Sequence, residues 1–121
     1  QIIANTADDF ELYVGDDSLT LPAMSIGAVG VVSVASHVIG KEMQAMINSY
    51  LAGDVQKAAK WHQHLLPLMK QLFAQPSPAP VKTALQLKGL HVGTVRLPLV
   101  PLTAKEREEL QQVLNSVSQE I

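Results

Sequence analysis

The chain has 121 residues, 47% hydrophobic and 17% charged, which suits one globular domain with a reasonable core and excludes a disordered chain. Its net charge of −2, with no basic block, argues against a nucleic-acid or anionic-membrane partner, and the lack of cysteine excludes disulfides, thiolate zinc sites and a cysteine nucleophile. The opening QIIANTADDFE has no basic segment followed by an apolar one, so no signal peptide is expected, and the apolar-rich residues 27–40 fall short of the ~20 needed for a membrane span.

Residues 10–14 (FELYV) predict a short strand closed by Gly15. Residues 18–26 predict a short helix that tolerates Pro22, and GAVG at 27–30 a turn. The run VVSVA at 31–35 is almost continuously apolar, the pattern of a strand buried on both faces in a parallel sheet. Strand, short helix and strand in that order predict a right-handed parallel unit.

After Gly40 the periodicity becomes helical. Met43, Met46, Ile47, Tyr50 and Leu51 form one apolar face that Gly53 ends. Asp54 is placed to cap a longer helix with Val55, Ala58, Ala59, Leu65, Leu66, Met69, Leu72 and Phe73 inside, bent or short of a hydrogen bond at Pro67. PSPAP at 76–80 predicts a stiff extended connector, 81–88 a short helix stopped by Gly89, and RLPLVPL at 96–102 another extended stretch. Thr103-Ala-Lys-Glu106 is a capping box opening a last helix with Leu110, Val113, Leu114 and Val117 on one face.

Two strands cannot bury both faces of VVSVA by themselves, because a two-stranded parallel sheet has two open edges. The pattern therefore reads as the end of a longer α/β protein, with the missing strands upstream.

Asp16 and Asp17 close the first strand. One of them is expected to cap the helix that follows, and both lie at the carboxyl end of a parallel strand, where α/β active sites assemble. Adjacent aspartates on a turn diverge, so a shared-proton pair is not expected, and a cation would need oxygen ligands that are not nearby in sequence. His62 and His64 are two apart on a helix and cannot form an i, i+4 metal pair; His91 falls in a turn, and His37 follows the second strand. Ser33 and Ser36 have no nucleophile-elbow pattern around them. At this level three classes stay open: a lyase or aldolase barrel, a ligand-binding α/β module and a helical interaction domain. A catalytic lysine upstream would mark the first, a phosphate-cradling glycine loop the second, and no upstream strands at all the third.

GDDSLTLP, GVVSVASHVIGKEM, LLPLMKQLF, PSPAPVKTALQLKGL and RLPLVPLT, in this order, closely resemble the C-terminal part of the dihydrodipicolinate synthase family, within the N-acetylneuraminate lyase superfamily. The resemblance implies the end of a (β/α)8 barrel followed by a three-helix bundle. Residues 1–5 would end the sixth barrel helix, FELYV would be strand seven and VVSVA strand eight. Residues 1–40 would hold the last βα units, and 41–121 the eighth helix and the C-terminal helices. The implied chemistry is condensation of pyruvate with L-aspartate 4-semialdehyde through a lysine Schiff base in lysine (diaminopimelate) biosynthesis. No cofactor is implied. Another pyruvate-dependent lyase of the superfamily, or a non-catalytic helical module, is the alternative.

None of Lys41, Lys57, Lys60, Lys70, Lys82, Lys88 or Lys105 matches the Schiff-base position. Tyr13 and Tyr50 do not match the proton-relay tyrosine, nor Arg96 and Arg107 the substrate-binding arginine. No catalytic side chain is therefore expected in these residues, and the chain alone is expected to be inactive. What the resemblance implies for it is the backbone carbonyl of Val32 at the pyruvate end, and a pocket wall of Gly15, Asp16 and Asp17. The implied setting is a cytoplasmic homotetramer in which the family's N-terminal part completes the barrel.

Overall fold

Two very short strands lean on a four-helix body in the computed structural model, which describes residues 1–117. A 3-10 turn over Ile3–Asn5 precedes strand β1 (Tyr13–Val14). A second 3-10 turn, Asp17–Leu19, runs directly into helix α1 (Thr20–Met24), and strand β2 (Gly30–Val31) returns parallel to β1. Tyr13 pairs with Gly30 and Val14 with Val31. The ladder extends at both ends, with Val29 N–H donating to Leu12 O at 2.9 Å and Val32 N–H to Val14 O at 2.8 Å.

The parallel unit is as the sequence predicts, but its strands are shorter. FELYV pairs over two residues and VVSVA starts one residue early and stops after Val31. Val32 is 72% exposed, whereas Val31 and Val34 pack partly on the core. The physical reason is one-sided cover: the helices reach one face of the strand pair only. Phe10, Tyr13, Ile26 and Val29 are exposed with Val32, so the N-terminal segment carries an uncovered apolar layer.

Helix α2 (Ser36–Leu51) begins five residues before the expected start after Gly40, with non-helical backbone at Ile39 (φ −128°, ψ 39°) kinking its first turn. Beside the kink, the Lys88 ammonium donates to Val38 O at 2.6 Å. Gly53, at φ +85°, supplies the left-handed turn that ends the hairpin's first arm, where a side chain would be strained. Asp54 then accepts from Lys57 N–H at 3.0 Å and caps helix α3 (Val55–Gln71), as predicted. Pro67 does not interrupt α3, because Leu65, Leu68 and Met69 around it are almost completely buried and packing outweighs the one lost hydrogen bond.

PSPAP is not extended. Its last two residues are the first turn of helix α4 (Ala79–Leu87), with Pro80 where the missing N–H would be unpaired in any case. Ala79, Pro80 and Val81 are buried there. Residues 89–103 form an irregular connection held to α4 by Lys82 Nζ donating to Thr94 O at 2.8 Å and Gln86 Nε2 to Gly93 O at 2.9 Å. Helix α5 (Ala104–Val117) opens on the predicted capping box: Thr103 N–H and Oγ1 both donate to Glu106 Oε2 at 2.8 Å, and Glu106 N–H returns to Thr103 Oγ1 at 3.3 Å. The Thr103 backbone and hydroxyl bonds hold the Glu106 carboxyl below its ordinary value of 4.5.

The core joins all four long helices: Met43 and Met46 from α2, Leu65, Leu68, Met69 and Leu72 along α3, Ala84 from α4, and Leu110, Leu114 and Val117 from α5. Leu51, Val55 and Phe73, expected inside, are exposed at helix ends where the apolar stripe has rotated outward, while Leu68 takes a core place. His64 Nε2 lies 3.1 Å from Val117 O, tying the middle of α3 to the last described turn of α5.

Leu68→Ala should lower the unfolding free energy by about 2–5 kcal/mol in urea titrations of the chain. Leu51→Ala, at a position 71% exposed, should change it by less than about 0.5 kcal/mol.

Candidate functional site

The parallel register brings the carboxyl ends of β1 and β2 to one edge, where Gly15 and Asp16 follow Val14 and Val32 follows Val31. The two adjacent aspartates take different tasks there. Asp16 is exposed and extended (φ −122°, ψ 118°), and its Oδ1 accepts from Ser18 N–H at 2.8 Å and Ser18 Oγ at 2.7 Å. It is the local cap the sequence predicts.

Asp17 is 2% exposed and faces inward. Its own carbonyl accepts from Thr20 Oγ1 at 2.8 Å, anchoring the turn. Its carboxylate crosses to the other strand: Oδ2 accepts from Val34 N–H at 3.1 Å and Ala35 N–H at 2.9 Å, and Oδ1 accepts from Ser33 Oγ. Ser33 Oγ in turn accepts from Ser36 N–H at 2.9 Å. Helix α2 has Ala35 as its N-cap, a residue with no side-chain acceptor; Asp17 takes the Val34 and Ala35 N–H groups that lead into the helix, and Ser33 Oγ takes its first N–H, at Ser36. A carboxylate also matches the positive end of α2. A buried charge is tolerated when hydrogen bonds replace its hydration, and Asp17 has three.

The sequence reading missed this cross-link. The signal was there in Ser33-Val-Ala-Ser36, the hydroxyl-to-N–H spacing of a helix start, with no capping side chain on Ala35 itself. At Gly15 a Cβ would meet nothing within 4 Å. The close approach is at Gly30, where a Cβ would stand 2.5 Å from Tyr13 Cε1, so Gly30 admits the tyrosine ring across the strand pair.

No other cluster competes with this edge. Among the described residues, no group of three or more His, Asp or Glu side chains could hold a metal ion, and no helix is long and apolar enough to cross a membrane. His37 and His91 are exposed. His64 and Trp61 stack edge to face with centroids 6.4 Å apart. His62 Nδ1 is buried without a hydrogen-bond partner among the described residues, and burial holds the His62 pKa below its ordinary 6.5. Lys41, Lys57, Lys60, Lys70 and Lys105 are exposed and Lys82 is half-buried with its ammonium on Thr94 O. Lys88 departs from a plain surface position, because its ammonium reaches the α2 kink. A groove of about 450 Å³ lined by Gln1, Ile2, Ile3, Ala4, Leu12 and Ile26 lies in the apolar N-terminal layer and includes none of Gly15, Asp17 or Val32.

Residues 1–117 match the model of the dihydrodipicolinate synthetase family. The chain is 60% identical over 115 residues to 4-hydroxy-tetrahydrodipicolinate synthase 1 of Halalkalibacterium halodurans, covering 95% of this chain and 39% of that protein. It superposes on a crystal structure of a dihydrodipicolinate synthase from Bacillus anthracis with a TM-score of 0.93 and 61% identity, covering 98% of this chain and 40% of that one. A structure described as the first monomeric dihydrodipicolinate synthase variant aligns with a TM-score of 0.85 and 41% identity, covering 89% of this chain and 36% of that one. The chain thus spans about 40% of the length of these relatives.

Asp17→Ala leaves three donors without their acceptor and should cost at least about 1–3 kcal/mol by urea unfolding, the penalty of one buried unpaired donor, and more than Asp16→Ala, which loses an exposed cap. His62 gives a pH signature. Its folded pKa is below the unfolded 6.5, so the unfolded chain takes up the proton first and stability falls as pH drops below 6.5, levelling under the folded value. Unfolding midpoints measured between about pH 7.5 and pH 5.5 should show this fall, and His62→Gln should flatten it.

Proposed function

Because the chain belongs to the dihydrodipicolinate synthetase family, we propose that it forms the C-terminal two-fifths of a synthase of lysine biosynthesis. In this reading residues 1–40 carry the last two strand–helix units of a (β/α)8 barrel, with β1 as strand seven and β2 as strand eight. Residues 41–121 carry the eighth helix, α2, apart from its first turn at Ser36 to Gly40, and a bundle built from α3, α4 and α5. The reaction is condensation of pyruvate with L-aspartate 4-semialdehyde through a lysine Schiff base, without a cofactor, in the cytoplasm.

The observation that carries the reading is the uncovered parallel pair. Strands β1 and β2 present an exposed apolar layer and open edges, as a barrel segment would where its neighbouring strands pack. The family match over residues 1–117 supports reading those neighbours as barrel strands of the same enzyme. The carboxyl edge of the pair would face the reaction, as in barrel enzymes generally. Val32 follows β2 on that edge, where its main-chain carbonyl would accept a hydrogen bond from the pyruvate end of the intermediate. Gly15, Asp16 and Asp17 would form the adjoining wall. The Schiff-base lysine, proton-relay tyrosine and substrate-binding arginine would come from the remaining three-fifths. The lysines here are exposed or half-buried, none of them in the enclosed pocket that carbonyl attack uses.

For assembly we propose a homotetramer through the outer helix α1, where Ile26, just beyond it, is 69% exposed. The monomeric relative marks the competing outcome.

Borohydride treatment with pyruvate should leave the 121-residue chain unmodified and add a pyruvyl group to the full-length enzyme at a lysine outside this chain. A stable adduct at any of the chain's own lysines would overturn the division of labour. In sedimentation, the full-length enzyme should run as a tetramer and Ile26→Asp as a smaller species; a wild-type monomer at micromolar concentration would sink the assembly proposal.

A further inference from the structure

We propose that Asp17 is a positioning residue for the pyruvate-facing carbonyl of Val32, acting through the backbone of residues 32–35. The inference rests on the reading of Val32 given above and adds to it the device that holds the carbonyl's backbone in place. The Val32–Ser33 peptide lies between two anchors. On one side Val32 N–H is fixed to Val14 O at 2.8 Å. On the other, Ser33 Oγ, Val34 N–H and Ala35 N–H all converge on the Asp17 carboxylate.

These anchors hold the Cα atoms of Val32 and Ser33 from both flanks, and so fix where on the edge the peptide that carries the carbonyl stands. The polarity of the relay is fixed too. Ser33 has one hydroxyl proton, which goes to Asp17, and its lone pair accepts Ser36 N–H at 2.9 Å. The frame is rigid because it ends on α2, whose Val38, Ile39 and Met43 are buried in the core. A main-chain ligand is placed by the backbone around it, and Asp17 holds that backbone.

The test separates positioning from general support in the full-length enzyme. The pyruvate concentration for half-maximal borohydride trapping and the KM for the aldehyde substrate are measured for Asp17→Asn, Ser33→Ala and Asp54→Ala. Asp17→Asn should raise the pyruvate value about tenfold, Ser33→Ala less, with the aldehyde KM held within about twofold. Asp54→Ala removes a cap of α3 and should leave both values within about twofold. An unchanged pyruvate value in Asp17→Asn overturns the inference, and so does an equal rise in both constants, which marks loosening of the whole site. If Asp17→Asn does not fold, Ser33→Ala decides by the same criterion. The Val32 reading has its own check: trapping pyruvate on the wild-type enzyme should slow amide exchange in residues 30–36. No slowing there overturns the Val32 reading together with this inference. Slowing with an unaltered pyruvate value in Asp17→Asn overturns the positioning role alone.

Discussion

The Asp17 carboxylate accepts hydrogen bonds from residues 16, 17 and 18 positions further along the chain, and most of the N-terminal architecture depends on that contact. A two-stranded parallel pair with two-residue strands has little stability of its own. Two ladder bonds beyond the strand ends and the partial packing of Val31 and Val34 would not fix where the second strand stops. The buried carboxylate does so by taking the N–H groups that a further strand residue or a helical cap would otherwise satisfy. One acidic side chain thereby ends β2, starts α2 and joins the carboxyl ends of both strands. Replacing it by a neutral acceptor would give up both the charge at the helix end and the convergence of three donors.

Behind that link the helical body is conventional in its energetics. Fully buried leucines and methionines from all four long helices meet in one core, each worth roughly 1.5–3 kcal/mol of burial. Lys88 on the α2 kink and His64 on the α5 terminus add directional ties between helices that the apolar contacts alone would let slide. The body is complete in this sense and the strand layer is not. Stability resides in residues 36–117, while the surface that would meet substrate and neighbouring strands is carried on a thin N-terminal layer. That layer is held from behind through Asp17.

The helices were legible in the sequence because their apolar spacing, caps and stop signals agree with one another. Asp54, Gly53 and the Thr103–Glu106 box act as read. Leu51 and Val55 were misplaced because they flank the Gly53 turn, where helical periodicity no longer fixes direction. PSPAP was misread because proline favours both extended segments and first helical turns, and only the burial of Ala79 to Val81 selects the second. Strand length was not legible, since pairing ends where cover ends and cover is a tertiary property. The edge carrying Gly15, Asp16 and Val32 follows from the parallel register. The task of Asp17 does not, because its partners lie on the next strand and no local pattern links Asp17 to Ser33.

Native-state hydrogen exchange of the Val34, Ala35 and Ser36 amides tests the central link most directly, comparing the chain with its Asp17→Asn variant. With the carboxylate in place these amides should exchange as slowly as those in the middle of α2. In Asp17→Asn they should exchange at least about tenfold faster while the Met46 and Leu65 amides keep their protection. Fast exchange of the three amides in the unmodified chain, or equal protection in both proteins, would contradict the account.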